Sequence, residues 1–260
     1  MGSSFLIPGG SGSEESSVLS DLQASRPEAS NSGKLFLPQN GYLPAYDGGA
    51  WNPLLPGFQC SKPGAAATFS KLNGGASSTL VDHGDGLLMS EGGYNSTSER
   101  ACIWIKALPQ TSNYIWTVGF IIDHILPLST QRLGLTLNYG SGPGRNISFM
   151  LISTSGDRAL DLVCYRYNDS FSYHSAYTIN QAGIILSPEH LLFLRITDNG
   201  TNRIYSYSLD GIVWIDAVTV SRTDWTEPAY FGLRTAQGGT AINTTRMAVR
   251  AKVIHWGFEV

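Results

Sequence analysis

The thirty residues 191–220, LLFLRITDNGTNRIYSYSLDGIVWIDAVTV, constrain the fold more than any other stretch of this 260-residue chain. Leu192, Leu194 and Ile196 alternate with Phe193, Arg195 and Thr197, the period-two pattern of a strand with one face buried. Asp198-Asn199-Gly200 then supplies side chains and a glycine that tolerate positive φ, so the chain can reverse. A second strand runs back over 203–209, and Asp210-Gly211 turns it into a third over 213–220. Three consecutive hairpin-linked strands belong to an antiparallel sheet. Such a sheet offers broad faces and loops, which suit binding and scaffolding.

The same logic extends through most of the chain. Alternating or apolar runs predict strands at 87–90, 101–108, 115–122, 133–139, 147–153, 160–167, 173–180, 230–235 and 247–258. Turn signals separate nearly all of them: Gly92-Gly93, the 140–144 glycine cluster, Ser155-Gly156-Asp157 and Asn168-Asp169. About a dozen strands with little helix and no strand–helix alternation imply an all-β, antiparallel sandwich or barrel. Trp104, Trp116, Trp214 and Trp256 fall inside these strands and read as core, each ring burying about 200 Å².

Charged residues make up only 14% of the chain, against roughly 25% in an average soluble domain. Its polar surface is therefore mostly Ser, Thr, Asn, Gln and Gly. A formal net charge of −3 provides no global attraction to nucleic acid or anionic lipid. Apolar runs such as 118–122 are far shorter than the roughly 20 residues that span a bilayer, and the first residues lack the pattern of a secretory signal. Cys60, Cys102 and Cys164 are odd in number and widely spaced, so free thiols are expected and no disulfide framework or zinc site is implied.

Three regions follow from composition. Residues 1–33 are rich in Ser, Gly and Glu, an extended arm that needs outside contacts to become ordered. Residues 34–64 interleave prolines and Asn-Gly and Asp-Gly turns with Phe36, Tyr42, Tyr46, Trp51 and Phe58, which read as docking anchors. A hairpin of 35–37 against 42–46 is expected there. Residues 65–260 form the β-sandwich.

No catalytic residues emerge. The Asp82–Gly86 segment has too few acidic positions for a calcium loop and reads as a turn. The 140–145 glycine cluster lacks the lysine and following helix of a phosphate loop. A retaining glycosidase needs two carboxyls about 5 Å apart, and no strand carries the acidic run that supplies them. No metal site or cofactor is expected. Two aromatic groupings stand out. Tyr165, Tyr167, Phe171, Tyr173 and Tyr177 form a stripe that reads either as packing on one face or as a sugar platform beside Asn168 and Asp169. Trp225 lies in the 222–227 loop. Tyr167, Tyr173 and Trp225 are the candidate glycan contacts, because binding residues concentrate on loops and edges.

The meander resembles the C-terminal part of concanavalin A-like (laminin-G-like) sandwiches found in tailed-bacteriophage virion proteins. The residues that carry the likeness are Leu194-Arg195-Ile196, Asp198, Gly200 to Arg203, Tyr205-Ser206, Ser208, Asp210-Gly211 and Trp214. Arg222 to Asp224 and Phe231-Gly232 follow. The lead-in at 35–38, Gly41, Tyr46-Asp47, Gly49 and Trp51 is also similar. The resemblance implies a two-sheet jelly roll, a virion location, and partners that are neighbouring copies (a trimer) and other tail or capsid proteins, with host surface polysaccharide as ligand. It implies a tail-associated fibre or spike protein. A capsid decoration protein is the alternative, and a glycoside hydrolase or secreted carbohydrate-binding module a further one. Shared positions are turn and core residues, so no catalytic role comes with it. Residues 1–33 match no part of the pattern.

Overall fold

The computed structural model describes residues 44–46, 51–53, 61, 63–73, 78–84, 86–92, 100–110, 112–125, 131–142, 144–153, 160–169, 172–179, 191–225, 227–237 and 247–260. The chain divides into two compact units, Met1–Leu54 and Leu55–Val260. In the first, strands β1 (Pro44–Tyr46) and β2 (Trp51–Pro53) pair antiparallel with Tyr46 opposite Trp51. The expected hairpin of 35–37 against 42–46 falls mostly outside the described residues; of it, 44–46 is described, paired with 51–53. The expected strand at 35–37 lies outside the described residues, as does the arm 1–33.

The second unit is an antiparallel two-sheet sandwich of the concanavalin A-like, jelly-roll class. Its strands are β3 (Ser70–Asn73), β4 (Ser78–His83), β5 (Gly86–Gly92), β6 (Arg100–Ala107), β7 (Tyr114–Ile125), β8 (Gln131–Asn138), β9 (Asn146–Ser153), β10 (Leu160–Tyr167), β11 (Tyr173–Tyr177), β12 (Leu191–Asp198), β13 (Asn202–Ser208), β14 (Ile215–Ser221), β15 (Tyr230–Gln237) and β16 (Met247–Glu259). The first sheet runs β11-β10-β9-β8-β15-β6-β3 and the second β14-β13-β12-β7-β16-β5-β4. The meander read from sequence is β12-β13-β14. Sequence-distant strands fill the centres: β15 sits between β8 and β6, and β7 between β12 and β16.

Alternation directs one apolar set from each sheet inward. Leu133, Leu135, Leu137, Phe149, Leu151, Leu233 and Trp104 from the first sheet meet Trp116, Val118, Phe120, Leu194, Ile196, Ala251 and Val253 from the second. Trp116 crosses the interface, 4.8 Å from Phe231 and 5.2 Å from Trp256 between ring centroids. Offset and edge contacts at these distances add about 1 kcal/mol each beyond area burial. Cys102 and Cys164 are free, buried thiols, and burial pushes the Cys164 pKa upward. Cys60 lies outside the described residues.

The end of the meander is held by charge. Asp198 accepts a hydrogen bond from Arg203 Nε at 3.1 Å and lies 3.4 Å from Arg222 Nε, and neither the Asp198 nor the Arg203 side chain is exposed. Gly200 N–H also donates to Asp198 (3.0 Å), with Gly200 at φ +84°. Among the residues of the resemblance, Asp198, Gly200, Arg203 and Arg222 thus hold the first turn and its buried ion cluster, and Asp210 holds the second turn by accepting from the N–H groups of Ile212 and Val213 (2.8 Å each).

Ser61 joins the sandwich at an irregularity in β16. Its N–H donates to His255 Nδ1 (2.9 Å), and its carbonyl accepts from Trp256 N–H (2.8 Å). The register of β16 slips between Val253 and His255, which turns His255 to the outer face. His255 is 6% exposed. Burial, and then the nearby Arg195 charge, lower its pKa to about 4.

Candidate functional site

Strand register lays the outer face of the first sheet out in rows. One runs Tyr230, Asn138, Asn146, Tyr167, Tyr173, and the next Gly232, Thr136, Ser148, Tyr165. These side chains bond one another. Ser148 Oγ lies at hydrogen-bond distance from Thr136 Oγ1 (3.1 Å) and Asn146 Oδ1 (3.0 Å), and Arg234 donates to the same Oδ1 (3.1 Å). The Arg234 guanidinium lies 3.9 Å from the Tyr167 ring centroid, and Arg132 reaches the Tyr167 hydroxyl at 3.4 Å. Asn138 and Asn146 tie the face to loops by donating to the carbonyls of Gly140, Gly142, Gly144 and Asp169. The Asn138 Oδ1 acceptor is buried with no partner among the described residues.

This face is closed to water over its centre. β8 and β9 are buried along their whole length, so the expected half-buried pattern fails there. Tyr167 is fully buried. Its ring is held by Arg234 and by neighbouring tyrosines, and it is not a surface on which a sugar stacks. The exposed ring is Tyr173, 51% accessible on edge strand β11. Tyr165 stands 5.2 Å from it and Tyr167 6.2 Å, both edge-on. The sequence placed these three on one face correctly. Tyr177 projects to the other side, beside Arg166 (4.5 Å) and the core, and Phe171 lies outside the described residues.

Trp225 does not join that platform. A left-handed backbone, φ +71°, turns its indole inward against the core. It packs on His174 of β11 (4.3 Å), with Arg145 at 5.1 Å. The β10–β11 register shifts at this point and leaves His174 without a cross-strand partner; His174 packs on Trp225 while Tyr173 packs on Tyr165 and Tyr167. Arg166 and Asp224, 3.6 Å apart, bridge β10 to the 222–225 turn beside it. The backbones of Tyr46 and Trp51 lie in β1 and β2. The other docking anchors, Phe36, Tyr42 and Phe58, lie outside the described residues.

Trp214, expected in the core, lies outside it. It precedes β14, is half-buried on the outer face of the second sheet, and stacks on the Arg195 guanidinium at 3.5 Å. Its neighbours Ile212 and Val213 are exposed. The Asp-Gly turn in the sequence was the available signal, since the residues just after a turn sit at a sheet's rim.

Chemically, the first sheet's outer face offers guanidinium, amide, hydroxyl and phenol groups. Asp161 is the one carboxylate among the described residues on that face. Hydrogen bonding and ring stacking are within the means of these groups.

No family model matches the chain, and no curated protein matches its sequence. Solved structures do match. A functionally unknown protein from Saccharomyces cerevisiae superposes with TM-score 0.52 and 10% identity, covering 76% of this chain and 98% of that one. The legume lectin-like domain from Entamoeba histolytica gives TM-score 0.51 and 10% identity over 74% and 90%. The CBM2 module of the evolved Dit of Lactobacillus casei BL23 phage J-1 gives TM-score 0.46 and 11% identity over 74% and 89%, too loose for residue correspondences. At these identities the likeness is one of fold: a lectin-like β-sandwich.

Proposed function

We propose that this chain is a non-catalytic, glycan-binding structural protein of a tailed-phage particle, of the tail-associated fibre or spike type. The observation that carries the binding part is Tyr173. A large aromatic ring stands half in water at a sheet edge, fixed from behind by Tyr165 and Tyr167, which Arg132 and Arg234 fix in turn. A preorganised aromatic face loses little freedom when a pyranose stacks on it. Ser172 and Asn168, both exposed beside it, supply hydroxyl and amide groups for sugar hydroxyls. The virion part rests on the meander motif set out above, with residues 1–33 and the aromatic lead-in serving as the docking elements.

The test is titration of the full chain against a panel of bacterial surface polysaccharides, with reducing-sugar release followed in parallel. Saturable binding without release is expected. Tyr173→Ala should weaken it about tenfold or more at an unchanged thermal midpoint, because the ring is half exposed. Absence of binding across the panel, or indifference to Tyr173→Ala, refutes the glycan reading. Immunogold labelling at the tail supports the fibre assignment. Labelling over the whole shell supports a capsid decoration protein instead.

A further inference from the structure

Trp225 holds a backbone conformation that bulky aromatic residues rarely adopt. Its φ of +71° lies in the left-handed region, which costs a non-glycine residue about 1–3 kcal/mol and persists only where the surroundings fix it. Two bonds pin the turn that carries it. Arg222 N–H donates to the Thr201 carbonyl (2.9 Å), and Asp224 N–H donates to the Ser221 carbonyl (3.0 Å). The turn delivers the indole among side chains from β11, β10 and the head of β9. His174 packs on it at 4.3 Å, and the guanidinium carbons of Arg145 and Arg166 stand 5.1 and 5.7 Å from its ring centroid.

Hydrogen bonding around this ring is one-sided. The indole Nε1–H is buried without an acceptor among the described residues, and so is Arg166 Nε. An indole and a guanidinium donate and cannot accept, so the partner both lack is an acceptor. An unsatisfied buried donor costs about 1–3 kcal/mol, more when it is charged. Native folds rarely carry such groups without a water or an ion to meet them. Charge distinguishes the two. The carboxylates of the neighbouring loops are already engaged: Asp224 lies 3.6 Å from Arg166, Glu227 takes Arg222 at 2.8 Å, and Asp169 accepts from the N–H and the hydroxyl of Ser172. Arg145 is exposed and makes no ion pair with a described residue. A cation left over beside two buried donors suits an anionic acceptor, because charge-assisted bonds are about twice as strong as neutral ones.

We propose that Arg145, Arg166 and the Trp225 indole N–H form a site for an oxyanion, the carboxylate or phosphate group of an acidic polysaccharide. Arg145, exposed and unpaired, moves to admit the group and then closes on it with a charge-assisted bond. Trp225 Nε1–H and Arg166 Nε supply the bonds from within. Trp225 thus serves as a donor rather than as a stacking surface. His174 follows Tyr173 on edge strand β11, so one acidic polymer crossing that edge meets the Tyr173 ring and this site together. The polymer part rests on the glycan reading given above, whereas the oxyanion part stands without it.

The experiment follows the indole N–H signals of the full chain by nitrogen–proton correlation NMR. The chain has six tryptophans, and Trp225→Phe identifies the signal of interest. Inorganic phosphate, galacturonate and galactose are titrated in turn at fixed ionic strength, so that screening stays constant. The Trp225 signal is expected to shift saturably with an anion and to ignore galactose. A response to galacturonate alone marks a uronate ligand, and a response to phosphate alone marks a phosphorylated one. Arg145→Gln should raise the dissociation constant about tenfold or more, the worth of one charge-assisted bond, with the thermal midpoint kept because the side chain is exposed. Tyr173→Ala should leave the anion response intact. Failure of polysaccharide binding with that response intact removes the glycan reading alone. A Trp225 signal that neither anion moves below roughly 10 mM, one that galactose moves equally, or an unchanged constant in Arg145→Gln would overturn the oxyanion site.

Discussion

Asp198 is the sharpest place to test the physical account of this fold. Its carboxylate faces Arg203 at 3.1 Å and Arg222 at 3.4 Å, with the Asp198 and Arg203 side chains wholly out of water and Arg222 15% exposed. Tyr114 and Tyr205 are buried around the pair, and burial pushes both phenols upward, keeping them neutral. Only Asp198 faces Arg203 as an anion here among the described residues. Asp198→Ala therefore takes the facing carboxylate from a buried guanidinium, and breaking one partner of a buried ion pair costs about 3–5 kcal/mol. Arg203→Met should cost less, toward 3 kcal/mol, because the carboxylate keeps Arg222 and the Gly200 N–H. Arg222→Ala should cost about 1 kcal/mol, since its removal leaves the buried pair intact and its second partner, Glu227, is largely exposed. Urea titrations of the three variants, analysed by linear extrapolation with a common slope, read these values directly. A loss below about 1 kcal/mol for Asp198→Ala, or a larger loss for Arg222→Ala than for Arg203→Met, would show that packing rather than charge holds the turn.

Two other predictions rest on single positions. His255 stays neutral in the fold, its pKa lowered to about 4, while in the unfolded chain it returns to about 6.5. Between those values the unfolded state binds the extra proton, so stability falls as pH drops from about 6.5 toward 4, by up to about 3 kcal/mol. His255→Asn, which keeps an acceptor for the Ser61 N–H, should flatten that part of the pH profile in denaturant melts; an unchanged slope would remove His255 from the explanation. Gly232 lies in central strand β15, where an added Cβ would stand 2.0 Å from the Trp104 carbonyl oxygen and 2.9 Å from Ile105 Cα. Both are backbone atoms of a paired strand that cannot swing aside, so Gly232→Ala should cost about 3 kcal/mol, the upper part of the overpacking range. A urea midpoint equal to wild type would contradict it.

What the sequence disclosed depended on how local the cause was. The β12-β13-β14 meander was legible because its alternation and both its turns lie within thirty consecutive residues, and Asp198, Gly200, Asp210 and Gly211 act on groups a few positions away. β3 and β4 were not, because SKLN and STLVDH are edge strands with much of their surface in water, so little apolar periodicity marks them. Tyr167 was placed on the correct face, but its burial comes from Arg132 and Arg234, delivered by β8 and β15 through pairings that no local window contains. The two tryptophans reversed roles for related reasons. Trp214 sits one residue before its strand begins and turns to the outer face, whereas Trp225 leaves its loop through a left-handed backbone and packs inward.

These placements also decide where a ligand can meet the sandwich. A polar face whose groups already satisfy one another gains little by exchanging those bonds for equivalent ones to a sugar, since the net value of such an exchange is about 1 kcal/mol per bond. The groups around Arg234, Asn146, Ser148 and Thr136 on the first sheet are in that condition, bonded among themselves. Binding energy must then come from surface still in contact with water and already rigid. On the first sheet Tyr173 meets both requirements, because its ring is exposed while its neighbours Tyr165 and Tyr167 are not free to move. The interior network thereby acts as the support of the edge. Arg234→Met, which removes a guanidinium from the Tyr167 ring without touching Tyr173, should weaken glycan binding by disordering the platform, and Tyr173→Phe should preserve it.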